Sequence, residues 1–193
     1  MKKGYIYTII FIAAVSIVFS GILAGVNAAY KKKIEINELA AEKASILYSM
    51  GIDAEGADAV EVFDEKVSET TVSGIKFYSA VADDGTTVYS IPFVGAGLWG
   101  TIRGYIAVDD ALTEIKGIAF TEQNETPGLG GRIEEEWYKE QFRGVSLGTE
   151  ITYGEDAGID AITGATSTSN AVLKIMNEFI DTTLKELEEA DGE

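Results

Sequence analysis

Between Lys3 and Lys31 the chain carries no charge: the 27 residues from Gly4 to Tyr30 contain no Asp, Glu, Lys or Arg. About 20 apolar residues suffice for a helix to cross the hydrocarbon core of a bilayer, so this run is long enough to span it, with Tyr5, Tyr7 and Tyr30 as interfacial anchors at its ends. The competing reading is a cleaved signal peptide, with Lys2 and Lys3 as its basic start and Val26-Asn27-Ala28 as its cleavage site. Signal apolar cores run about 7–15 residues, and this run is far longer. A retained anchor over residues 1–33, with its helix at about residues 4–30, is therefore expected, followed by one domain over 34–193. Lysines flank both ends of the run, so the positive-inside count does not orient it.

All five basic residues before Ile34 are Lys, and no acid precedes Glu35; the other 10 basic residues and all 32 acids follow, giving that part a charge of −22 within a chain total of −17. So acidic a domain argues against nucleic acid, whose phosphates need a basic face. The chain has no Cys and no His. Disulfides, thiolate nucleophiles and Cys-ligated clusters are excluded, as are a Ser-His-Asp triad and imidazole metal ligands. No metal site and no catalytic acid–base pair is expected.

Apolar spacing predicts a helix over Ile34–Met50, stopped at Gly51, and a shorter one over Ala57–Val67. Strands are expected at Ile75–Val81 and Thr86–Phe93 around Asp83-Asp84-Gly85, and at Gly100–Val108 and Glu114–Thr121 around Asp109-Asp110. Arg132–Phe142 reads as a helix. The last helix carries Val172, Met176, Phe179, Ile180, Thr183 and Leu187 on one face. The fold class is therefore α+β, an antiparallel sheet with flanking helices behind one transmembrane helix.

Three segments are unlike ordinary core or surface: Val94–Gly100, Glu125–Gly131 and Asp160–Asn170. Glycine-rich loops let backbone approach a ligand closely. The third segment opens the final helix, and five of the seven residues from Thr163 to Ser169 carry hydroxyls. A helix N-terminus of this kind suits a phosphate; helix capping alone is the competing explanation. Leu98, Trp99 and Leu129 are apolar residues in glycine-rich loops, to be expected either folded onto the domain's own core or serving a flat apolar ligand.

DAITGAT (160–166), ETPGLGGRIE (125–134) and GAGLWG (95–100) together resemble the signatures of the FMN-binding subunits found as the C subunit of the sodium-translocating NADH:quinone reductase and the G subunit of the Rnf ferredoxin:NAD oxidoreductase. The resemblance implies that Thr166 carries FMN through a phosphoester, placed there by a flavin transferase that uses FAD. It makes Asp160, Thr163, Gly164, Ala165 and Ser167 the surroundings of the attachment, and has Glu125, Thr126, Pro127, Gly128, Leu129 and Gly130, with Gly97, Leu98 and Trp99, wall the isoalloxazine ring. Loop N–H groups and the Thr126 hydroxyl would donate to the flavin. Thr168→Ala would leave the flavin attached. Relatives often have His shortly before ETPGLG where this chain has Asn124, so no imidazole can move a proton there.

On this resemblance the protein is an electron-relaying subunit of an ion-translocating (Na+ or H+) oxidoreductase complex, not catalytic by itself. Its partners are the complex's other membrane and redox subunits, the flavin transferase and the lipid bilayer. The N-terminus is cytoplasmic and the domain lies outside the inner membrane. Both complexes remain open. No G-x-G-x-x-G strand–helix fingerprint for NADH is present. Two other functions compete: a stand-alone extracytoplasmic flavin reductase, and a cofactor-free anchored binding module.

Overall fold

In the computed structural model the described residues are 2–54, 56–72, 74–82, 85–154 and 158–191. They form two compact units that divide between Leu39 and Ala40. Helix α1 (Lys2–Ser49) supplies the described residues of the first unit and the opening of the second. In the first unit Ile9, Phe11, Phe19 and Leu23 are exposed. Its most apolar window reaches a mean hydropathy of 2.6, and a chain folded in water does not leave so large an apolar surface uncovered. By length and composition this helix can cross a membrane.

The second unit is built on a five-stranded antiparallel meander whose spatial order follows the chain: β1 (Ser68–Val72), β2 (Ile75–Val81), β3 (Thr87–Ala96), β4 (Thr101–Asp109) and β5 (Ile115–Glu122). Side chains alternate across a strand, and β4 shows both faces covered. Ile102, Ile106 and Val108 enter one apolar cluster, with Val172, Ile175, Met176 and Phe179 of α4 (Thr166–Phe179). Tyr105 and Ala107 enter the other, with Ile46, Leu47 and Met50 from the end of α1 and Ala59 of α2 (Gly56–Lys66). The Ser49 and Ser90 hydroxyls meet at 2.8 Å inside this second layer.

Gly51, at φ +76°, turns the chain after α1, as its position predicts. The last carbonyl groups of a helix lack intrahelical partners, and the Arg143 guanidinium supplies one, donating to Tyr48 O at 2.9 Å. Arg143 also pairs with Glu140 of α3 (Glu136–Glu140) at 2.8 Å. The Tyr48 hydroxyl donates to Glu140 at 2.6 Å. Burial first, and then this carboxylate, push the Tyr48 phenol up to about 12.

The four expected strands stand within three residues of their expected ends. Asp83 and Asp84 of the first turn lie outside the described residues. Three features differ from the sequence reading. Strand β1 is additional: Ser-Glu-Thr-Thr-Val pairs along β2 as an exposed edge, and an edge with no buried face leaves no alternation to read. The helix expected over Arg132–Phe142 is two short pieces, a 3-10 turn Gly130–Glu134 and α3, because Glu135 is extended at φ −66° and ψ 141°. Its carboxylate there accepts from Arg132 at 3.1 Å and from the Trp137 indole. Finally, a π turn over Ile180–Leu184 separates α4 from α5 (Lys185–Asp191). The shifted register buries Leu184, with Thr183 only half-buried.

Asp109 closes the β4–β5 turn. Its carboxylate accepts from the Thr113 N–H and hydroxyl, each at 2.7 Å, and from the Glu114 N–H at 2.9 Å. Burial raises its pKa, but these bonds with Lys116 together hold it below the usual value. Asp109→Ala is expected to lower the domain's unfolding free energy by about 1–3 kcal/mol at pH 7, read by urea denaturation. A carboxyl depressed in the folded state contributes fully above its unfolded value of about 3.9. The difference between variant and wild type should therefore shrink as pH falls through the folded Asp109 pKa.

Candidate functional site: three loops at one end of the sheet

Topology brings the three unusual segments together. Gly97–Gly100 is the loop of the β3–β4 hairpin, closed by the Gly97 N–H on Gly100 O at 2.7 Å. Strand β5 runs antiparallel to β4 and ends with Glu122 opposite Arg103, so the chain leaves the sheet at that same end. Helix α4 lies directly on β3, where a Cβ at Gly95 would overlap the Ile175 side chain.

Glu125 joins the three. It is 4% exposed. Its Oε1 accepts the Trp99 N–H at 3.0 Å, and its Oε2 accepts the Thr168 hydroxyl at 2.5 Å. One carboxylate thus bonds the hairpin loop and the first turn of α4 from the segment between them. The glycines around it fit tightly: a Cβ at Gly97 would lie 2.5 Å from Glu125 Oε1, and one at Gly130 would lie 2.9 Å from Oε2 and overlap the Thr168 hydroxyl. These two glycines serve the protein's own close packing, which is a different need from ligand access.

After Glu125 the chain turns sharply. Thr126 O accepts both the Leu129 and Gly131 N–H groups at 3.0 Å. Thr126, Pro127 and Gly128 are exposed, and Gly128 sits at φ +75°. The N–H groups of Trp99, Glu125, Leu129 and Gly131 all donate within the protein. Leu98, Trp99 and Leu129 are 52%, 68% and 45% exposed, which sets aside the expectation that they fold onto the domain's core.

Residues 160–169 divide into an inner and an outer set. Ser169 and Thr168 are buried, and the Ser169 hydroxyl accepts the Ile162 N–H at 3.1 Å. Asp160 is exposed, while its N–H donates to Gln141 at 2.8 Å. Thr163, Gly164, Thr166 and Ser167 are exposed, and Ala165 is buried. The capping explanation fails here. The N-cap of α4 is Ala165, and no side chain caps the helix. Its first N–H groups have no intrahelical acceptor, and the helix dipole favours an anion at this end. Thr166, the first helical residue, is exposed at this end. The Thr168 hydroxyl is turned inward and bonded to Glu125. That bond spans 43 residues, and no local spacing signals it. Gln141, which clasps Asp160, was missed for the same reason.

A cleft of about 480 Å3 lies elsewhere, lined by Gln141, Val145, Thr149 and Ile151 among others, and shares none of the three loops. The candidate site is an exposed surface, with a polar helix end beside three apolar side chains.

Residues 97–181 match the model of one class of protein, the FMN-binding domain. Within the class the likeness is to one component of a larger complex. The chain is 37% identical to the C subunit of the Na(+)-translocating NADH-quinone reductase of Pasteurella multocida, over 54% of this chain and 48% of the relative. To its counterpart in Neisseria meningitidis it is 26% identical, over 89% of this chain and 88% of the relative. The crystal structure of the same reductase component from Parabacteroides distasonis superposes with a TM-score of 0.67 at 25% identity, covering 81% of this chain and 96% of that one. These findings bear out the resemblance carried by the three motifs, to FMN-binding subunits of the NADH:quinone reductase and Rnf type. The match covers about half the length of the first curated relatives.

Gly164 holds φ +83°, and a Cβ there would touch Leu129 Cδ2 at 3.4 Å. An L side chain in this left-handed conformation costs about 1–2 kcal/mol. Gly164→Ala should therefore lower the domain's stability by about that amount in urea denaturation, while Gly148→Ala, in ordinary contact only with Ser146, should change it far less.

Proposed function

We propose that this protein is a membrane-anchored electron-transfer subunit that carries FMN covalently on Thr166. The observation that carries the proposal is the placement of Thr166. It is an exposed hydroxyl at the uncapped N-terminus of α4, beside the exposed Leu98, Trp99 and Leu129, within the stretch that matches the FMN-binding domain. The residues fit the group. The helix end suits the phosphate, Gly164 and Ala165 leave space around the hydroxyl, and the apolar side chains suit a flat ring.

Attachment from FAD forms one bond between Thr166 Oγ and the flavin-side phosphorus and breaks the pyrophosphate. The nucleotide half leaves, and the hydroxyl proton goes to a base of the transferase. The exposed Asp160 and Thr163 serve recognition by that enzyme. Once attached, FMN supplies the one- and two-electron chemistry; the chain holds it and keeps it from being lost.

The relatives' names favour the NADH-quinone reductase complex over the Rnf complex as the assembly it serves. Its partners are then that complex's other subunits, with sodium as the transported ion. The apolar helix inserts in the inner membrane with Lys2 and Lys3 on the cytoplasmic side and the acidic domain outside. A covalent tether suits a domain on that side, where a dissociated cofactor is not recovered.

Production of the full chain with a flavin transferase should give a band that fluoresces as flavin after denaturing electrophoresis. Thr166→Ala should abolish the fluorescence, and Ser167→Ala, the exposed neighbour, should keep it. A fluorescent Thr166→Ala band would move the attachment site, and a dark wild-type band from a host that flavinylates a known substrate would refute the proposal.

A further inference from the structure

The geometry points to Glu125 as the positioning residue for flavin attachment. Its carboxylate sets the Leu98–Trp99 hairpin tip and the first turn of α4 in one fixed relation, so that Thr166 is presented beside the apolar side chains that receive the ring. This inference rests on the reading of Thr166 as the FMN acceptor and deepens it.

Burying a carboxylate is unfavourable unless its oxygens are well bonded, and bonds to an ionised acceptor are about twice as strong as neutral ones. Here each oxygen has a different partner: the Trp99 N–H at 3.0 Å and the Thr168 hydroxyl at 2.5 Å. No buried side-chain N or O among the described residues lacks a partner, so this arrangement is a completed one. The space for it is made by Gly97 and Gly130, where any Cβ would crowd the carboxylate.

Two consequences follow for chemistry at Thr166. Thr168 lies in the same helical turn, two residues on, so the bond that holds Thr168 also holds the turn that presents Thr166. The bond also keeps the Thr168 hydroxyl buried and occupied, leaving Thr163, Thr166 and Ser167 as the exposed hydroxyls of the segment. The Trp99 backbone is held by this bond, and its ring stays exposed.

The test uses the full chain in detergent, without flavin and after production with a flavin transferase, as wild type, Glu125→Ala, Glu125→Gln and Thr168→Val. Two quantities are read: amide hydrogen exchange at Trp99 and in the first turn of α4, and the rate of FMN attachment at Thr166 by peptide mass. Glu125→Ala should speed exchange at both places and slow attachment, each by about tenfold or more, while amides of β3 and β4 stay protected. Glu125→Gln should recover part of both losses and fall between Glu125→Ala and wild type, because the amide oxygen can accept from Trp99 and the amide nitrogen can donate to the Thr168 oxygen. A role in charge alone would leave Gln as impaired as Ala, and that result overturns the proposal. So does a folded Glu125→Ala chain with both readouts unchanged. Should Glu125→Ala not fold, Thr168→Val removes one of the two bonds; it should loosen the α4 turn and slow attachment, and unchanged values overturn the proposal. A wild-type chain that accepts no FMN refutes the Thr166 reading itself. That result is distinguishable, because exchange in the flavin-free variants still reports whether Glu125 holds the two loops.

Discussion

A single buried carboxylate organises the end of the sheet where the three motifs meet. Glu125 accepts a backbone N–H from one loop and a hydroxyl from the first turn of α4, and it sits where two glycines leave space for it. Charge-assisted bonds in a dry setting are strong, and they are costly to leave unmade. The arrangement is therefore close to all-or-none: both partners engaged, or a carboxylate buried unpaired. The exposed chemistry of the site, the Thr166 hydroxyl and the apolar Leu98, Trp99 and Leu129, rests on that inner layer.

The sheet supplies the frame for it. An antiparallel meander places the β3–β4 hairpin and the exit of β5 at one end by connectivity alone. The close contact of Ile175 on Gly95 then seats α4 on β3, and α4 begins at Thr166 beside those loops. On the opposite face of the sheet, the end of α1 packs through Ile46, Leu47 and Met50 and is tied to α3 through Tyr48, Glu140 and Arg143.

Elements with a buried face were legible from sequence. The helix ending before Gly51 and the strands β2 to β5 carry apolar periodicity or turn residues, and the uncharged run shows by its composition alone. What was not legible depends on contacts distant in sequence or on a missing face. Strand β1 has no apolar side to alternate, and Glu135 breaks a helix whose composition is helical. The π turn that brings Leu184 inward leaves a sequence period that points at Thr183. At the site, the motif residues were recognisable as a group, but their division of labour was not. Glycines that read as openings for a ligand are partly accommodations of Glu125. Thr168, which reads like Thr166, is turned inward and bonded. The polar residues at the helix start, which read equally well as caps, leave the cap position to Ala165.

The outward placement of Thr166 is the feature on which the functional account stands, and one peptide decides it. Cleavage after Arg143 and Lys174 releases residues 144–174, which include all five hydroxyls from Thr163 to Ser169. Fragmentation of this peptide by tandem mass spectrometry, from full-length chain produced with a flavin transferase, should locate one FMN phosphoester on Thr166. An unmodified peptide, or FMN on Thr168 or Ser169, would contradict the account.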